Sequence, residues 1–62
     1  MIDIQLEKYV KNYLKGIYNY NWINYYIVVA TNNYDGNQII FVKCEDFILI
    51  YSNDDFIKKI KN

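Results

Sequence analysis

Three runs in this chain are apolar at consecutive positions: Trp22-Ile23-Asn24-Tyr25-Tyr26-Ile27-Val28-Val29-Ala30, Gln38-Ile39-Ile40-Phe41-Val42 and Phe47-Ile48-Leu49-Ile50-Tyr51. Successive side chains point to opposite faces of a strand, so a half-buried antiparallel strand alternates apolar with polar residues. These runs do not, and a sheet built from them has two apolar faces. Two short helices can cover one face. The other is expected to lie against something else.

Chain length sharpens that expectation. A domain of 62 residues buries only about 60% of the surface its unfolded chain exposes. Domains this small commonly rely on disulfides, a metal or oligomerisation. Cys44 is the only cysteine and there is no histidine, so neither an internal disulfide nor a structural zinc site is expected. Self-association, partner binding or an unusually apolar core remain. The 53% hydrophobic and 19% aromatic content fits each of these and is far from the composition of disordered chains.

Seven lysines offset seven acidic residues, for a formal charge of zero. A dedicated DNA binder carries a basic excess and a DNA mimic an acidic one. Near-zero charge also lowers colloidal solubility, which argues against a permanently bare apolar face. No run reaches the ~18 apolar residues of a membrane span. The start, Met1-Ile2-Asp3-Ile4-Gln5, lacks the basic and apolar regions of a signal peptide. The expectation is a cytoplasmic protein with Cys44 reduced and no membrane contact. Nine Asn, eight Tyr and eleven Ile, with no Arg and no Pro, are the mark of AT-rich codons, as in a low-GC bacterium, its phage or a similar virus.

Along the chain, residues 3–15 read as an amphipathic helix. Leu6, Val10, Tyr13, Leu14 and Ile17 fall on one stripe. Asp3 suits the N-cap, Gly16 suits a left-handed residue past the end, and Glu7 with Lys11 makes an i,i+4 pair. Residues 17–21 read as a connector because Asn favours turns. Strands are expected at about 22–31, 38–43 and 47–51. The turn formers of Asn32 to Asn37 separate the first two, and Cys44-Glu45-Asp46 the last two. Ser52-Asn53-Asp54-Asp55 resembles a capping box, and Phe56, Ile57 and Ile60 make a stripe for a short helix at 53–60. The predicted fold is α+β: one small domain over 1–62, ordered α-β-β-β-α, with a three-stranded antiparallel meander packed on the N-terminal helix.

Alternation divides the strands between faces. Ile23, Ile27, Val29, Ile39, Phe41, Phe47 and Leu49 are assigned to the helix-packed core. That leaves Trp22, Tyr26, Val28, Ile40, Val42, Ile48 and Ile50 as a candidate partner-binding face, because exposed apolar patches beyond a few hundred Å² mark interaction sites. A C-terminal helix of about eight residues spans only ~12 Å and covers part of such a face at most.

The catalytic inventory is thin. Ser52, Thr31 and Cys44 are the only hydroxyl or thiol groups apart from tyrosine, and no histidine activates them. Glu45-Asp46 point to opposite faces of a strand, and Asp54-Asp55 fit a helix first turn. Gly16 and Gly36 stand alone, which excludes the phosphate-binding glycine loops. No catalytic residue, metal ligand or cofactor is expected, so the chain reads as a non-enzyme.

Two binding classes remain. Tyr and Trp are the side chains of interface hot spots, and Trp22, Tyr18, Tyr20, Tyr25, Tyr26 and Tyr34 exceed what a core of this size hides. The first expectation is therefore a protein-binding module, including a homodimer. The alternative is an RNA- or DNA-binding accessory protein, with Tyr18 and Tyr20 stacking on bases and Lys8, Lys11 and Lys15 meeting phosphates. The lack of arginine, the usual base-edge reader, weighs against it. In size and style, though through no motif, the chain resembles the small inhibitors that phages and mobile elements direct at host defence enzymes, such as anti-CRISPR proteins. An antitoxin-like subunit is a further alternative.

Overall fold

The computed structural model describes residues 2–53 and 55–61. It contains one helix, α1 (Ile4–Tyr13), followed by five strands: β1 (Tyr18–Asn24), β2 (Ile27–Asn32), β3 (Gln38–Lys43), β4 (Phe47–Ser52) and β5 (Asp55–Lys61). They form one antiparallel sheet in the order β1-β2-β3-β4-β5. This corrects the expected α-β-β-β-α order with its three-stranded meander. The meander connectivity is there, with a further strand at each side and no second helix among the described residues.

The helix starts where its cap dictates. Asp3 is extended, and its Oδ1 accepts from the Leu6 backbone amide at 2.9 Å, satisfying one of the free amides of the first turn. The carboxylate is buried and also pairs with Lys43 Nζ at 3.0 Å. The Leu6 amide, then Lys43, hold its pKa below the ordinary carboxylate value. Lys43 also donates to Gln5 Oε1 at 2.9 Å, which pins the helix start to β3. The helix is shorter than 3–15 because Leu14 turns extended. Gly16 takes a positive φ of 112°, and Ile17 is exposed instead of joining the apolar stripe.

The expected first strand, 22–31, is a hairpin. Its outer arm includes the supposed connector, because Tyr18, Tyr20 and Trp22 alternate with Asn19, Asn21 and Ile23 at the period of a strand. On an edge strand the asparagines stand on the outer face, where their turn preference costs little. Asn24 makes the turn: its Oδ1 accepts from the Tyr26 amide at 2.8 Å, an Asx turn that mimics a backbone turn. Asn32 does the same next to Gly36, accepting from the Tyr34 and Asp35 amides at 2.7 and 3.2 Å.

The segment expected as a helix at 53–60 is β5, paired with β4 from Ser52↔Asp55 to Phe47↔Lys61. Asp54, part of the proposed capping box, lies outside the described residues. An isolated helix of this length is marginal because its nucleation is costly, whereas the open edge of β4 offers a ladder of hydrogen-bond partners. Asn53 permits the reversal with φ 48°, and its Oδ1 accepts from the Gln38 amide at 3.1 Å. A side chain with a β-carbon pays about 1–2 kcal/mol in that conformation and glycine does not. Asn53→Ala is therefore expected to be less stable than Asn53→Gly by about 1 kcal/mol in urea denaturation. A helical segment would give the opposite order, since alanine exceeds glycine in helix propensity by about 1 kcal/mol.

Helix α1 covers one face of the sheet. Leu6, Val10 and Leu14 meet Val28 and Ala30 of β2, Phe41 of β3, and Ile48 and Ile50 of β4. Tyr9 and Tyr13 close on Phe41 in edge-on contacts at 6.4 and 5.6 Å, and Lys58 caps the Tyr13 ring at 4.8 Å. Of the residues expected in this core, only Ile39 and Phe41 are on the helix side. Ile27, Val29, Phe47 and Leu49 face the other way, and Ile23 lies at an irregularity of β1 and is exposed. Among the described residues no helix is long and apolar enough to cross a membrane.

Candidate functional site

The sheet face away from α1 has no layer over it among the described residues, and it is apolar. Residues paired across neighbouring strands share a face, so the register defines its rows. One row runs Asn21, Val29, Ile40, Tyr51 and Phe56; the next runs Asn24, Ile27, Val42, Leu49 and Lys59. Phe47 opposite Lys61 extends it at one end. The aliphatic centre on β2, β3 and β4 is half-buried because neighbouring branched side chains cover one another's flanks. Their tips remain bare.

The rims differ from the centre. On the β1 side stand Asn19 and Asn21, neutral and exposed. On the β5 side stand Lys59 and Lys61, with the Lys59 ammonium 4.8 Å from the centre of the Phe47 ring. Tyr51 and Phe56 pack edge-on at 5.7 Å toward the opposite end of the β4–β5 rim. Strand β5 bulges at Ile57, where the register shifts between Ile50 and Tyr51, and such bulges with edge lysines discourage further strand addition.

Only Ile40 and Val42 of the expected partner-binding set stand on this face. Val28, Ile48 and Ile50 are core residues beneath the helix, and Trp22 packs at the margin of that core. Tyr26 sits in the β1–β2 turn, 5.0 Å from Tyr25. The face missed by the sequence reading, Ile27, Val29, Leu49, Tyr51 and Phe56, differs from the expected one by a one-residue slip on β2 and β4, and such a slip exchanges the faces. Two signals carried the correct parity. Ala30 is the small residue that lets the helix approach β2, and Lys43 shares the side of Phe41 so that it can reach Asp3.

The expected nucleic-acid set is scattered. Lys8, Lys11 and Lys15 are exposed on or just past the helix, and Lys11 pairs with Glu7 at 3.6 Å. Tyr18 packs against the core, while Tyr20 joins Trp22, Glu7, Val10 and Lys11 around a cleft of about 60 Å³. That is far below the 300–1,000 Å³ of ordinary ligand sites. A larger depression of about 470 Å³ is lined by Tyr26, Lys43, Cys44 and Glu45, but Lys43 is already committed to Asp3 and Gln5. Among the described residues no three His, Cys, Asp or Glu side chains gather.

The chain matches no family model, no curated protein and no solved structure.

Proposed function

We propose that this chain is a non-enzymatic, protein-binding module of the cytoplasm, and that the open sheet face is its binding surface. The observation that carries this reading is the uninterrupted aliphatic centre made by Ile27, Val29, Ile40, Val42 and Leu49 on three adjacent strands. Apolar surface of this kind gains free energy when water leaves it, at about 25 cal/mol per Å². Branched aliphatics offer nothing to a phosphate or a sugar. A small inhibitor from a phage or mobile element needs such a surface and no chemistry, and the AT-rich composition fits such a source.

A second reading has its own observation. Phe47, Lys59 and Lys61 cluster at one end of the β4–β5 rim with Tyr51 and Phe56 toward the other, and aromatic rings with lysines along a strand can hold single-stranded nucleic acid. Salt separates the two. Protein association through the aliphatic centre is expected to be nearly independent of salt and to vanish in Ile40→Lys, in cross-linking and co-elution assays. Binding of single-stranded RNA or DNA that falls with salt at a log–log slope near −0.7 per phosphate, and disappears in Lys59→Ala/Lys61→Ala, would put the nucleic-acid reading in its place.

A further inference from the structure

We infer that the occupant of the open face is a second copy of this chain, packed sheet against sheet about a two-fold axis that runs along β3. This rests on the reading that the face binds protein, and it names the partner.

Size supports it first. The face is five strands wide and up to seven residues long, roughly 19 by 23 Å between outer backbones at ordinary strand spacing and rise. With its side chains added this is on the scale of the smaller specific interfaces, about 600 Å² per partner. A chain this short also gains most from a second hydrophobic layer, because among the described residues the fully buried core is small, Leu6, Val10, Leu14, Val28, Ala30, Phe41, Ile48 and Ile50, with partly buried hydrophobics around it. Two such sheets packed at the usual ~10 Å separation make a four-layer helix-sheet-sheet-helix body.

Charge decides the axis. The charged strand residues on this face are Lys59 and Lys61 of β5, and Asp46 borders the depression they line with Phe47, so that the β5 rim carries a net positive charge. A two-fold axis across the strands would set β5 on β5 and bring these lysines toward their own copies. An axis along β3 keeps each row over itself and sets β5 over the partner's β1, so that Lys59 meets neutral Asn24 and Lys61 lies toward the β1–β2 turn. The centre then pairs with itself, Ile40 against Ile40. With zero formal charge on the whole chain, no long-range repulsion opposes the association.

Sedimentation equilibrium at tens of micromolar tests the partner, and a cross-link tests the axis. The wild type is expected at dimer mass. Ile40→Lys and Leu49→Lys are expected at monomer mass, with unchanged far-UV circular dichroism. In a Cys44→Ser background, Ile40→Cys should link to its own copy through a short bismaleimide. Asn21→Cys should not, because two strand spacings on either side of the axis put the copies about 20 Å apart. A monomeric wild type overturns the inference while leaving the face free to bind another protein. A dimer untouched by both lysine variants, or one that links through position 21 and not 40, overturns it as well. If the lysine variants fail to fold, the cross-linking pattern decides alone.

Discussion

Lysine at position 28 is expected to unfold this protein, and lysine at position 29 to leave it folded. Val28 is fully buried beneath α1, between Trp22 of β1 and Phe41 of β3. An ammonium there has no carboxylate within the core: Asp3 is held by Lys43 and the Leu6 amide, and Glu7, at the rim beside Trp22, is paired with Lys11. An uncompensated buried charge costs several kcal/mol, and the longer chain overpacks the core by about 1–3 kcal/mol more. Total stability at roughly 0.05–0.15 kcal/mol per residue amounts to only a few kcal/mol for a chain of this length. The change therefore exceeds what the fold holds. Val29, one residue on, stands on the open face, where a lysine reaches water. Far-UV circular dichroism and urea titration of the two variants should give a coil and a cooperative transition. A folded Val28→Lys beside an unfolded Val29→Lys would mean that the sheet packs its helix on the opposite face.

The parity of those two valines does not follow from the apolar content of the runs. A strand apolar on both faces leads one to expect cover on both, and for the same reason hides which one meets the helix. The segments at 38–43 and 47–51 were legible because turn formers bracket them: Asp35-Gly36 before, Glu45-Asp46 between. The hairpin inside 22–31 was hidden because Tyr25 and Tyr26 in its turn look like strand residues. The hairpin depends on the Asn24 side chain bonding two residues ahead. In β5, the spacing of Phe56, Ile57 and Ile60 imitates a helix because a bulge adds one residue to the strand and disturbs its period of two. These are cases in which tertiary pairing overrides a local pattern, as strand propensity generally yields to context.

The open face was foreseeable in kind and not in membership. Surplus apolar surface follows from counting, because one short helix cannot cover both sides of a sheet. Which side chains make that surface depends on register, and register depends on two turns whose chemistry lies in Asn24 and Asn53. Of the expected interface, Ile40 and Val42 lie on the open face because β3 is flanked by turns the sequence marks clearly. Of the acidic residues, Asp3 caps the helix, Glu7 pairs with Lys11 and Asp35 accepts from the Asn37 amide in a turn.

Truncating Phe41 should cost nearly as much as the fold can lose, and by an amount that does not vary with protein concentration. Phe41 is fully buried at the centre of β3, paired with Val28 and Ile50 and roofed by the rings of Tyr9 and Tyr13. Its neighbours are held by the sheet ladder and by the helix, so they cannot collapse into the space left by alanine. Substitutions of this kind cost about 3–5 kcal/mol, read as a fall in the urea midpoint at constant slope. Ile40→Ala, on the opposite side of the same strand, is the informative comparison. In a lone chain Ile40 is half-exposed and its truncation is mild. In a two-fold dimer it meets its own copy, and the loss then grows with concentration because association adds to stability by mass action. The expected result is a Phe41→Ala penalty equal in dilute and concentrated samples, and an Ile40→Ala penalty that rises between them. A concentration-dependent Phe41 penalty would place the helix side at the interface. An Ile40 penalty that stays flat would leave the open face without a second copy upon it.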